Sequence, residues 1–368
     1  MKVVHLTSVH KRNDIRIFIK MTSSLAKKFD TSLLVADGLG DKRINNVDIY
    51  DVGCPKSRIS RMFFITKNIF NKALTLNADI YHIHDPELLP IALKLKKQGK
   101  IVIFDAHEDF PKQVLTKSYL NPMMAKLISI FMQSYEEYVC SRLDAVIAAT
   151  PTICNKFSKF CKISIDINNY PLLGELSPLE KDWSLLKNEI AYVGGITKIR
   201  GIEQVVDAFS LLKSDARLNL VGTCNEKNTT NIISKKPGWL SVNEFGQLNR
   251  EEVRDVLQKS IAGLVTFLPV PNHIDAQPNK MFEYMSAGIP VIGSNYPLWR
   301  TIIEGNNCGL CVDPENPEQI ANAIDKLVTD KNLAIQMGKN GIKAVNEKYN
   351  WSIEEAKLFK LYQELLGN

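Results

Sequence analysis

Short aliphatic and β-branched runs alternate with longer amphipathic stretches along the whole chain, and this alternation limits the fold more than any other feature. In the first half the runs fall at 3–6, 32–36, 80–84, 101–105, 145–149 and 163–167. Most are apolar at successive positions, as strands of a parallel sheet covered on both faces should be. Helical patterns occupy 15–28, 88–97 and 123–142 between them.

The alternation pauses over a polar, proline-containing interval at 168–187 and then restarts. Strands are expected at 190–193, 218–221, 264–268, 291–293 and 310–312, and helices at 202–213, 251–259, 280–287, 317–328, 333–348 and 351–366. A chain of 368 residues exceeds one ordinary domain of about 150 residues. The predicted class is α/β, with two Rossmann-like doubly wound domains facing a cleft. Residues 1–168 form the first domain and 169–349 the second, and the final helix, 350–368, packs back on the first.

Several functional classes drop out. No apolar run approaches the roughly 20 residues needed to cross a bilayer. The N-terminus lacks a secretory apolar core and cleavage site, so a cytoplasmic protein is expected. Seven cysteines at irregular spacing argue against a disulfide framework, and Cys308-Gly-Leu-Cys311 stands alone as a C-x-x-C pair. Residues 1–168 hold 25 Lys+Arg against 16 Asp+Glu, whereas the remainder holds 21 against 24. The basic half points to an anionic partner.

The densest chemistry lies at Asp275-Ala-Gln-Pro-Asn-Lys-Met-Phe-Glu283, followed by Tyr-Met-Ser-Ala-Gly-Ile-Pro-Val-Ile. A helix from Lys280 would end at Gly288, and Pro290 would open a buried strand. The loop 276–279 then meets a helix N-terminus, where free N–H groups and the dipole favour phosphate. Asp275 and Glu283 flank that position and suit sugar and ribose hydroxyls.

This string resembles the carboxylate, seven residues, glutamate motif of the retaining family-4 glycosyltransferases of GT-B fold, in the form found in members that build bacterial surface polysaccharides such as O-antigen and capsule. The resemblance extends over the chain, including Asn169-Tyr-Pro171 and Tyr349-Asn-Trp-Ser352. It implies that Glu283 holds the ribose of a nucleotide diphosphate sugar, UDP-sugar favoured, and that Asp275 touches the donor sugar near the reacting carbon. Many members carry Glu where Asp275 stands, one methylene longer.

Tyr192-Val-Gly194-Gly195-Ile-Thr-Lys198-Ile-Arg200-Gly-Ile-Glu203 reads as a strand, a glycine turn and a helix start, a good seat for a diphosphate. It resembles the family's phosphate site. Arg200 falls near the usual lysine, Gly195 stands where an arginine is usual, and Lys198 or Lys280 would supply the second charge beside Asn279.

Two polar strings end apolar strands of the first half: Tyr81-His-Ile-His-Asp-Pro-Glu87 and Phe104-Asp-Ala-His-Glu-Asp-Phe-Pro111. Open α/β sheets place ligands at such ends. By the resemblance, His107 contacts the donor sugar or its phosphate, while Asp85, Glu87, Glu108 and Asp109 face the acceptor. A metallohydrolase using His82, His84 and His107, with Asp85 and Asp109, is the rival reading. The opening loop, Ser8 to Phe18, resembles the subgroup with Asp-x-Arg-Ile-Phe there. Asp14 either caps the next helix or, with Arg16, lines the acceptor entrance.

At 56–72 cations alternate with bulky apolar residues at helical spacing. That face suits anionic lipid headgroups, unless Met62, Phe63 and Ile69 face the core. No nucleic-acid motif accompanies the charge. The combined expectation is a retaining transfer of a hexose or N-acetylhexosamine unit to a lipid-linked or polysaccharide acceptor at the inner membrane face, with no metal or other cofactor. A GT-B epimerase or phosphorylase and a catalytically inert nucleotide-sugar binding module are the alternatives.

Overall fold

The computed structural model describes residues 1–117, 120–176, 181–224 and 226–367. The chain forms two compact units, Met1–Asn169 with Ile353–Asn368, and Tyr170–Ser352.

The first unit is built on a sheet of β1 (Lys2–Leu6), β2 (Asp30–Val35), β3 (Lys42–Ile44), β4 (Val47–Asp51), β5 (Ile80–Ile83), β6 (Ile101–Ala106), β7 (Ala145–Ala148) and β8 (Ser164–Asp166). Their order is β3-β4-β2-β1-β5-β6-β7-β8, and every pair is parallel except β3 with β4. Sequence patterning misses this hairpin. Lys42 and Arg43 are exposed, and the turn rests on Asn45 and Asn46, both in the left-handed region at φ 53° and 60°.

Alternation along the strands sorts the two faces. Val4, Leu6, Tyr81, Ile83, Val102, Phe104, Val146 and Ala148 enter one core with Ile69 and Ala73 of helix Thr66–Leu76 and the apolar face of Leu89–Lys97. On the opposite face stand His5, His82 and Asp105, all fully buried. Tyr362 of the last helix, Trp351–Leu365, covers this polar layer.

After β1 the chain enters a wide π-helical segment, Ile15–Thr22. Its carbonyls are partly taken by side chains, with Thr22 Oγ1 on Ile17 O and Ser23 Oγ on Phe18 O. Such wide turns recur at functional sites. Here the segment turns Arg16 and Lys20 inward, to Asp105 and Asn169 respectively.

The second unit carries β9 (Glu189–Val193), β10 (Arg217–Val221), β11 (Val242–Gly246), β12 (Ala262–Val265), β13 (Val291–Ser294) and β14 (Gly309–Val312), ordered β11-β10-β9-β12-β13-β14 and wholly parallel. The strand expected at 264–268 ends early, at Val265, because the chain turns out of the sheet there. β11 is an edge strand with Glu244 and Phe245 exposed, so it lacks the apolar run that marks its neighbours. Strand order reverses between β9 and β12. Ligands of doubly wound sheets bind beyond the carboxyl ends at such a point.

Candidate active site

In the second unit the loops after β9 and β12 converge. Gly201, at φ +76°, lies so close that a Cβ would meet Thr266 O at 2.0 Å, and Leu268 N–H donates to Ile199 O at 2.9 Å. A left-handed glycine thus lets one loop lie flat on the next. Helix Asn279–Ser286 sits behind both, because Gly263 in β12 leaves room for the Tyr284 ring and Val193 N–H donates to the Tyr284 hydroxyl at 2.9 Å.

Arg200 folds back over the glycine turn. Its Nη1 donates to Gly195 O at 3.2 Å and would lie 2.7 Å from a Cβ at that position. The guanidinium therefore occupies the space that a side chain at 195 would need. Lys280 comes in from the helix start, its Nζ 3.8 Å from the Tyr192 ring centre and 5.0 Å from that of Phe267, whose ring also underlies Arg200 at 5.4 Å. Among the described residues the Lys280 ammonium has no hydrogen-bond partner, although it is buried. Burial, and then the neighbouring Arg200 charge, pull Lys280 well below the usual lysine range. Lys198 instead points to solvent near Glu203, 3.9 Å away.

Asn279 is the exposed first residue of the helix, and the loop before it is fixed by the Trp299 indole N–H donating to Ala276 O at 2.7 Å. Asp275 ends the short helix Pro271–Ile274 and is half-buried. Glu283 accepts from Arg250 Nη1 at 2.9 Å, and Arg250 Nε donates to Glu175 at 2.8 Å. Neither Arg250 nor Glu175 belongs to the linear motif.

The first unit gathers its polar residues at the carboxyl ends of β1, β5 and β6. His107 Nε2 lies 2.9 Å from Asp105 Oδ2 and 3.2 Å from His84 Nδ1. Asp105, which the sequence places in the polar string 104–111 without a role of its own, is the centre of this group. Burial pushes its carboxyl up, but Arg16, His107 and His84 outweigh it and hold it well below the carboxylate range. Arg16 is buried rather than lining an entrance, and its Nη1 also donates to Ile167 O at 2.8 Å. Asp14 caps the helix through Ile17 N–H at 2.8 Å and meets His10 Nδ1 at 3.2 Å. Burial raises Asp14, yet His10 and the Ile17 N–H hold it at about 2. Burial likewise lowers His10, but Asp14, Asp85 and Asp105 raise it overall.

Of the four carboxylates expected to face an acceptor, most are committed within the unit. Asp85 Oδ2 accepts from Ser8 N–H, Thr7 Oγ1, Ser8 Oγ and Val9 N–H at 2.6, 2.8, 3.2 and 3.3 Å. This carboxylate pins the loop after β1 to the loop after β5. Glu87 holds Ser8 Oγ and Arg61 Nε at 2.5 and 2.8 Å. Asp109 pairs with Lys156 at 2.8 Å, and the exposed Glu108 accepts from Gln113.

The residues of the metallohydrolase reading do not converge as one set. His82 turns to Tyr362, Asp85 to Ser8 and Asp109 to Lys156. Two closer groups, His5 with His82 and His84, and His84 with Asp105 and His107, bring ligand-type atoms within 4.8 Å. In the second group Arg16 already donates to both carboxylate oxygens. Cys308 is buried ahead of β14 and Cys311 lies within it, and burial pushes both thiols up to about 12.

The segment Arg58–Leu76 is helical, but its apolar residues do not face one way. Ile65, Ile69 and Ala73 are buried, whereas Ile59, Met62, Phe63 and Phe64 are 53–70% exposed. The core-facing expectation therefore fails for Met62 and Phe63 and holds for Ile69. No helix among the described residues is long and apolar enough to cross a membrane.

Residues 180–344 match the family model described as glycosyl transferases group 1. The capsular polysaccharide biosynthesis glycosyltransferase CapM of Staphylococcus aureus is 25% identical over 199 residues, 51% of this chain and 50% of that protein. The chain spans about half the length of CapM and 46% of one uncharacterized glycosyltransferase of Methanocaldococcus jannaschii. A second uncharacterized glycosyltransferase of that organism is 22% identical over 92% of this chain and 91% of its own. The sucrose-phosphate synthase structure from Thermosynechococcus elongatus superposes with a TM-score of 0.82 at 16% identity, covering 100% of this chain and 99% of that one. Anabaena HepE in complex with UDP-glucose gives 0.76 at 13%, covering 99% and 100%. The fold is the two-domain α/β fold with parallel sheets of GT-B glycosyltransferases.

Proposed function

We propose that the protein is a retaining family-4 glycosyltransferase that moves a hexosyl or N-acetylhexosaminyl unit from a nucleotide diphosphate sugar to a hydroxyl of a lipid-linked or polysaccharide acceptor. The observation that carries this reading is Lys280. A buried ammonium without a partner is costly. It lies beside Arg200, near a helix start and past the switch point of a doubly wound sheet, so an anion completes it. A diphosphate suits two cations that share the Phe267 ring and feel each other's charge.

In this reading Arg200, Lys280 and the N–H groups of the turn take up the negative charge that develops on the leaving diphosphate. Glu283, steadied by Arg250, accepts from the ribose hydroxyls, and Asp275 from the sugar. The acceptor hydroxyl attacks on the leaving-group face, where the departing phosphate oxygen takes its proton, and no strong protein base is needed beside the anomeric carbon. Charge neutralisation by the chain's own cations is the basis for expecting activity in excess chelator.

UDP is the favoured nucleotide because structural neighbours bind UDP or UDP-glucose, and a surface glycan is favoured because CapM acts in capsule synthesis. Exposed Ile59, Met62, Phe63 and Phe64 beside Lys56, Arg58 and Lys67 support docking on an anionic leaflet, where a lipid-linked acceptor resides. A thermal-shift panel of nucleotide sugars tests the core claim, since a donor that binds the native state raises Tm. Stabilisation by one nucleotide series, lost in Lys280→Met, is expected. A flat panel over all nucleotides overturns the reading.

A further inference from the structure

The histidines of the first unit form a stack that the reading above does not use. Ring centres of His5 and His82 are 4.5 Å apart, of His82 and His84 4.5 Å, and of His84 and His107 5.4 Å. His5, His82 and His84 are fully buried, and burial lowers all three from the usual histidine value, so each is a neutral ring with one N–H and one lone pair.

The contacts fix where those protons go. Asp105, ionised against Arg16, only accepts. His107 Nε2 and His84 Nδ1 lie 2.9 and 3.2 Å from its Oδ2 and 3.2 Å from each other; a bare ring nitrogen facing the carboxylate would set lone pair against lone pair, so both carry hydrogen and the contact between the rings is not a hydrogen bond. The bare Nε2 of His84 then accepts from His5 Nδ1–H at 2.8 Å. That leaves His5 Nε2 as a lone pair, 3.5 Å from the Tyr362 hydroxyl, which is itself 2.8 Å from His82 Nδ1.

The single hydroxyl proton of Tyr362 can point either way. If it points to His82, both His5 Nε2 and His82 Nε2–H are left unsatisfied inside the protein. If His82 Nδ1–H donates to Tyr362 and Tyr362 donates to His5, only His82 Nε2 is orphaned, and this atom has no partner among the described residues. The second arrangement leaves one buried group fewer without a partner and is therefore favoured. Every donor then points toward the Asp105 charge, which polarises the series.

We infer that Tyr362, on the C-terminal helix, is a positioning residue for His107: it heads a one-way series of hydrogen bonds, His82 to Tyr362 to His5 to His84 to Asp105, that holds Asp105 so as to keep His107 in its Nε2–H tautomer with Nδ1 free toward substrate. The proton pattern stands on the contacts alone, and only its kinetic effect rests on the transfer reading. Among the described residues Nδ1 of His107 has no protein partner, and the ring is 19% exposed.

The test is long-range proton–nitrogen NMR on the full chain with nitrogen-labelled histidine, whose six residues suffice for assignment by substitution. Wild-type protein is expected to show His5 and His84 as Nδ1–H and neutral His107 as Nε2–H. An Nδ1–H tautomer at His107 or an Nε2–H tautomer at His84 overturns the inference without any variant. Tyr362→Phe, which keeps the ring, is expected to shift the ring nitrogens of His5 and His84. If donor transfer is established, it also lowers kcat about tenfold at unchanged donor KM. Unchanged nitrogen shifts in this variant overturn the role of Tyr362. Absence of any transfer in wild-type protein bears on the proposed function and leaves the tautomer result standing.

Discussion

Arg16 donates from Nε and Nη2 to the two oxygens of Asp105, at 2.9 and 2.6 Å, with 5% and 0% of the two side chains exposed. The two residues are 89 positions apart, yet they bind the helix after β1 to the end of β6, where His107 begins its loop.

Removing one partner of this pair leaves the other charged and buried. Asp105→Asn is expected to cost about 3–5 kcal/mol in urea unfolding. The double variant Arg16→Met with Asp105→Leu should recover a large part of that loss, because no unpaired charge remains. A single variant within 1 kcal/mol of wild type would contradict the pair's role as a buried ion pair.

His10 and Asp14 give a pH signature. Asp14 is lowered to about 2, so its share of stability is present above its unfolded value near 4 and is lost as pH falls toward about 2. His10 is raised, so its share is full below its unfolded value of about 6.5 and disappears as pH rises through the higher folded value. The pair is strongest between about pH 4 and 6.5. Unfolding of wild type and His10→Gln, compared from acid to alkaline pH, should differ most in that window and converge above it.

Lys280 predicts a proton linkage. Its amine is held toward neutrality in the free protein, and an anion favours the ammonium, so donor binding should take up a proton. Affinity then weakens as pH rises above the free-state value. Calorimetry of donor binding in buffers of different ionisation enthalpy detects the uptake. Lys280→Met should remove it and raise donor Kd at least tenfold, and Arg200→Glu should raise donor KM sharply; buffer-independent heats in wild type would count against a neutral amine.

Flotation with anionic vesicles tests the exposed apolar turn. Wild type should float, and Phe63→Asp with Phe64→Asp should stay at the bottom, as should Arg58→Glu with Lys67→Glu. Equal flotation of neutral and anionic vesicles would point to apolar contact without the charge term. No flotation of wild type removes the membrane claim.

The parallel strands were legible because both of their faces are covered, which leaves an unbroken apolar run in the sequence. β3 and β11 lack such a run because edge positions permit Lys42, Arg43 and Glu244, and β4 lacks it because Asp48, Tyr50 and Asp51 are only partly buried. The site shows the same division. The string 275–283 is local to one loop and one helix start, so its residues stay together in any fold that forms that helix. Asp105, Arg250 and Tyr362 act through partners 89, 33 and 280 positions away, and no spacing rule announces such pairs. Arg16 reads in the sequence as a cation at an acceptor entrance, whereas in the π-helical segment 15–22 it is buried.

The notch at Gly263 has a consequence for how such a protein can change. The Tyr284 ring fills it, and the Tyr284 hydroxyl accepts from Val193 N–H, so the helix bearing Lys280 and Glu283 is registered by the interior of the sheet. Residues of the loop 269–275 can therefore be exchanged while Lys280 and Glu283 keep their positions, which under the proposed reading lets sugar preference drift without moving either side chain.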